Sequence, residues 1–176
     1  MMSPRLPANP RSIFPLVLSL LILAFSTACS GSGGPAEVLS SANRKFFSEN
    51  DYSGALALYE RVLQWKGEPA PTDAQRFEAA LNALRCRIFT GQTQGVKAEL
   101  DKIGEAFGNK LTYKNYCTVI GDLEKRKELK AAIDVLIEAG KKFPDYKERF
   151  QQEAKKLERL GLSNEDLERL KTLGYL

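Results

Sequence analysis

From Val38 onward, apolar residues recur at steps of three and four, the spacing that puts side chains on one face of a helix. Val38, Leu39, Ala42, Phe46 and Phe47 make the first such stripe, and the polar run from Ser48 to Asp51 breaks it. A second helix is predicted from about Tyr52 to Trp65, with Leu56, Tyr59, Val62 and Leu63 on one side and Glu60, Arg61 and Gln64 on the other. Gly67, Pro69 and Pro71 then exclude a helix interior. Thr72-Asp73-Ala74-Gln75 has capping-box form and opens a helix through Phe77, Leu81, Leu84, Ile88 and Phe89, ended by Gly91. Its successor runs from about Thr93 to Phe107 and stops at Gly108-Asn109. Further helices are expected over 113–124, 129–143, 145–160 and, after Ser163, around Leu167, Leu170 and Leu173. No segment alternates with period two, so the expected fold class is all-α.

A repeat underlies this pattern. Aligning the turns places Tyr52, Thr93 and Leu129 in register, 41 and 36 residues apart. Three residues on stand Ala55, Val96 and Ala132, then Tyr59, Leu100 and Leu136, then Val62, Ile103 and Ala139. Small or β-branched residues suit close helix crossings, and the large ones fill the space beside them.

The first copy, Asn50-Asp51-Tyr52-x-x-Ala55-x-x-x-Tyr59-x-x-Val62-Leu63, resembles the tetratricopeptide repeat, and Phe143-Pro144-Asp145 stands where that family closes a repeat with proline. Asn50 replaces the usual Gly, Thr93 replaces Tyr in the second copy, and the family's first-helix Trp and Leu-Gly are missing. The resemblance implies antiparallel hairpins over 36–145, stacked as a short α-solenoid, with capping helices over 146–176. It also implies a groove lined by the first helix of each pair. Transferred by register, the groove positions are Ser40, Arg44 and Phe47, then Leu81, Arg85 and Phe89, then Lys114, Cys117 and Glu124. Arginines at equivalent positions suit an acidic ligand and the aromatics an apolar anchor; the competing reading makes the former solvated and the latter core.

The N-terminus reads as an address. Arg5 and Arg11 precede an apolar stretch from Ile13 to Phe25 and the small residues Ser26-Thr27-Ala28, the three parts of a signal peptide over 1–28. That stretch is about 13 residues, against the ~20 a spanning helix needs. Cys29 follows directly, then a Gly/Ser tether to Pro35. Thr27-Ala28-Cys29 resembles the bacterial lipoprotein signal, although Ser26 replaces the usual aliphatic residue. This resemblance implies an acylated Cys29 and, from Ser30 behind it, an outer-membrane location facing the periplasm.

Charge and chemistry narrow the functional classes. The 26 basic and 22 acidic side chains nearly balance, which argues against nucleic acid as a partner. Histidine is absent from the sequence, which removes histidine-based triads and zinc sites. No cofactor or metal is expected. Cys86 and Cys117 either bridge neighbouring hairpins or remain small buried thiols. Lys125-Arg126-Lys127, flanked by Glu124 and Glu128, reads as a solvated turn. The leading expectation is a non-catalytic, lipid-anchored envelope adaptor that binds another envelope protein or peptide. A carboxylate-based periplasmic enzyme is the alternative, and would need Glu78 or Asp122 buried beside another carboxylate. A structural lipoprotein that oligomerises is the other, and would show an exposed leucine row at Leu167, Leu170 and Leu173.

Overall fold

A computed structural model of the chain describes residues 33–176. The expected signal peptide over 1–28, Cys29 and the start of the expected tether lie outside the described residues. Pro35, expected in the tether, is instead the first residue of α1, with Gly34 as its N-cap. Proline is well placed there, because the first helical N–H has no intrahelical partner in any case.

Eight α-helices and no strand are present among the described residues. They are α1 (Pro35–Arg44), α2 (Tyr52–Leu63), α3 (Asp73–Phe89), α4 (Val96–Phe107), α5 (Tyr113–Lys125), α6 (Leu129–Lys142), α7 (Lys147–Arg159) and α8 (Asn164–Thr172). The first turn is tighter and more specific than its polar composition suggests. Lys45–Glu49 continue α1 as a π-helical turn, and Asn50 takes a left-handed conformation at φ 53°. The Asp51 carboxylate then caps α2 by accepting from the Gly54 N–H at 2.9 Å. Thr72 and Gln75 form the expected capping box, with both reciprocal bonds made.

Several helix ends fall one or two residues from where they are expected, and the start of α4 moves further. Thr93 precedes α4, which begins at Val96, because Gly95 sits at φ 81° and a left-handed residue cannot continue a right-handed helix. The repeat register itself is unaffected. The nine aligned positions that follow the turn residues, from Ala55 to Ala139, are all buried.

Two apolar clusters share α3 as a party wall. Ala79, Ala83 and Cys86 join Val38, Leu39, Ala42, Phe46 and the α2 stripe on one side. Leu81, Leu84 and Ile88 join α4–α8 on the other. A helix apolar on two faces cannot be satisfied by one hairpin, so it makes successive pairs stack. Within the stack, α1, α3, α5 and α7 pack side by side, and α4, α6 and α8 form a second row.

The C-terminal leucines do not form an exposed row. Leu170 is fully buried in the core, Leu167 is half-buried, and only Leu173 faces solvent. Tyr175 is buried as well, against the backbone of α6 at Gly140. The terminal segment is thus part of the core. The Lys125–Lys127 turn is exposed, as expected of a solvated connection.

Candidate functional site

The row α1, α3, α5, α7, with the π-helical turn that continues α1 and holds Phe47, carries all nine groove positions, but their surroundings differ. Ser40 is exposed on α1. Arg44 is exposed and pairs with Glu49 at 3.1 Å. Phe47, 60% exposed, leans edge-on against Phe46, while Phe46 itself is buried among Tyr52, Tyr59 and Phe89. Phe89 is half-buried and stacks on Tyr52 at 4.4 Å. Leu81 is a core residue.

Arg85 is engaged within the fold. Its Nε donates to Asp122 Oδ2 at 2.6 Å, and its guanidinium lies 4.8 Å from the Phe46 ring centroid. Asp122, 2% exposed, thus faces Arg85 and, at 3.6 Å, Lys125. Glu78 accepts from Asn43 Nδ2 at 2.8 Å, and Asn43 Oδ1 accepts from the buried Tyr59 hydroxyl at 2.7 Å. Both acids are thus engaged by amide or basic side chains, Glu78 by Asn43 and Asp122 by Arg85 and Lys125.

The three α5 positions do come together. Lys114, Cys117 and Glu124 line one wall of an open cleft of about 650 Å³ between α5 and α7. The facing wall is Tyr146, Arg149, Glu153 and Lys156. Tyr113 and Tyr146 stack at 3.8 Å and join the N-terminal ends of the two helices. Glu153 is 4% exposed and is held by Arg149 at 3.1 Å and Lys156 at 2.9 Å. A buried carboxylate with two cations is a fixed electrostatic feature, since moving either partner leaves a charge unpaired.

Cys86 and Cys117 are free thiols. Burial pushes the Cys86 thiol up to about 12. It raises Cys117 too, against the opposing hydrogen bond from Arg149. Neither is poised as a thiolate nucleophile, which needs a lowered pKa.

The α7 wall escaped the sequence reading because its residues look like the polar face of a capping helix. Arg149, Glu153 and Lys156 are nevertheless spaced at four and three, and so lie on one face. Gly121 was missed for another reason, since an isolated helical glycine has no distinctive sequence signal.

Among the described residues there is no group of three or more Cys, Asp or Glu side chains arranged to hold a metal ion, and no helix long and apolar enough to cross a membrane. No family model, no curated protein and no solved structure matches the chain.

Proposed function

We propose that the chain is a non-catalytic adaptor of tetratricopeptide-like hairpins that binds a peptide segment of another envelope protein, and that it is held at the membrane by an acylated Cys29. The observation that carries the reading is the open α5–α7 cleft on the row of first helices, where Lys114, Cys117 and Glu124 meet the charged wall of α7. The buried repeat register supports hairpins of this class. The signal-like N-terminus supports export and an outer-membrane address facing the periplasm.

The test combines position and anchoring. A photo-crosslinking residue replaces Lys114 in the full chain expressed in a bacterial host, with the same residue at Lys102 of α4 as the control on the second row. The adaptor gives one discrete adduct from position 114 and none from 102. Equal adducts from both positions, or none from either, reject the reading. Cys29→Ser releases the protein from the membrane fraction; unchanged retention rejects the anchor.

A further inference from the structure

Lys114, Cys117, Gly121 and Glu124 are spaced at three, four and three, and so share one face of α5. Lys114 and Glu124 form no ion pair with any described residue, although both lie in a cleft where Arg149, Glu153 and Lys156 pair among themselves. Those three leave one positive charge in surplus. The cleft therefore presents an unmatched cation at its Tyr113–Tyr146 end, an unmatched anion ten residues further along α5, and a mildly positive wall opposite.

Gly121 lies between the two charges. Glycine inside a helix is less favourable than alanine, and the usual compensation is a neighbour that packs where the side chain would be. At Gly121 no such neighbour exists, because a Cβ there would meet nothing within 4 Å. Gly140 shows the contrast, since Tyr175 occupies the space beside it. Packing within the fold therefore gives no reason for the missing side chain at Gly121, and the bare backbone there leaves room for a close approach along the cleft floor.

We propose that the α5–α7 cleft binds an extended peptide segment whose backbone lies over Gly121, with an acidic side chain at Lys114 and a basic one at Glu124. Ten residues of α5 span about 15 Å, a distance an extended chain at about 3.3 Å per residue covers in four or five residues. Charge complementarity selects this occupant. A segment of uniform charge would be repelled at one end, and an apolar one would bury Lys114 and Glu124 unpaired. The inference rests on the adaptor reading and adds the chemistry of the ligand.

The full chain in detergent micelles is titrated with fluorescent, end-capped ten-residue Ala/Ser peptides carrying one aspartate and one lysine at separations of two to eight positions. Binding peaks at separations of four and five. Lys114→Glu weakens that binding by about fivefold or more and shifts preference to a twin-lysine peptide of the same spacing. The exchange lies in the first turn of α5, where an acid suits the helix dipole, so it does not threaten folding. Gly121→Leu blocks binding while the thermal melt shows the variant folded; should it fail to fold, Gly121→Ala reads the same effect in smaller measure. Binding that ignores spacing, or that Lys114→Glu leaves unchanged, overturns the inference and leaves the adaptor standing. Absence of binding to every peptide overturns the inference, while the crosslinking from position 114 still decides the adaptor on its own.

Discussion

The guanidinium of Arg85 on α3 donates to the carboxylate of Asp122 on α5 at 2.6 Å, with the two side chains only 15% and 2% exposed. This pair ties the second hairpin to the third through their first helices. Arg85→Ala leaves Asp122 almost fully buried with Lys125 as its remaining cation. The expected loss is about 3 kcal/mol in urea unfolding, because a buried charge loses its main partner. Arg85→Met with Asp122→Leu should lose much less than the two single changes together, since both charges go at once. A loss under about 0.5 kcal/mol for Arg85→Ala would show that the pair is a surface contact in effect.

Two helix-interior glycines should respond to alanine with opposite signs. Gly121→Ala places a methyl in open space and gains helix propensity, so the fold should be more stable by about 0.5–1 kcal/mol. Gly140→Ala drives a methyl into the rigid Tyr175 ring and should cost about 1–3 kcal/mol. In a Tyr175→Leu background the Gly140→Ala penalty should shrink, as read from chemical denaturation of the four variants.

The thiols should report the packing directly. Cys86 is fully buried with its titration pushed up to about 12, whereas Cys117 lies half-exposed in the cleft. Maleimide labelling followed by mass spectrometry should modify Cys117 in the native protein, and Cys86 only under denaturant. The raised Cys86 value also gives alkaline destabilisation. Its stabilising contribution is complete below the ordinary thiol value of 9.0 and is lost as pH rises towards about 12. Cys86→Ala should therefore flatten the loss of stability above pH 9. Equal labelling of both thiols in the native state would contradict the burial of Cys86.

Acid should act on the first hairpin turn. Lys45 donates to Asp51 Oδ2 at 2.6 Å and the Gly54 N–H donates to Oδ1, and these bonds hold the carboxyl below its usual value of 3.8. A carboxyl with a lowered folded pKa stabilises above the unfolded value, and its contribution is lost as pH falls through the folded one. Below about pH 4 the melting temperature should therefore fall more steeply in the native sequence than in Asp51→Asn, which keeps a capping oxygen without a titratable group. Identical profiles for the two proteins would remove Asp51 from the acid response.

Local periodicity and caps were legible along the chain because they depend on neighbours within a turn or two. The stripe Ala132, Ile133, Leu136, Ala139 specifies one face of α6 whatever it packs against, and the Thr72–Gln75 box closes over four residues. The register from Ala55 through Val96 to Ala132 was legible too, because stacked pairs demand small residues where their helices cross. These are short-range constraints, so sequence alone settled the all-α class and the order of the helices.

Tertiary structure decided everything that joins residues tens of positions apart. Arg85 looked like a free groove cation and is neutralised by Asp122, 37 residues away. Leu170 could have stood in an exposed row by its spacing alone and is core, because α8 packs on α6. The cleft needs α7 to lie beside α5 so that Glu153, Arg149 and Lys156 face Lys114 and Glu124. A charged side chain has the same helical period whether it points at solvent, at a buried partner or into a binding cleft. Only the packing of one helix against another separates those three fates.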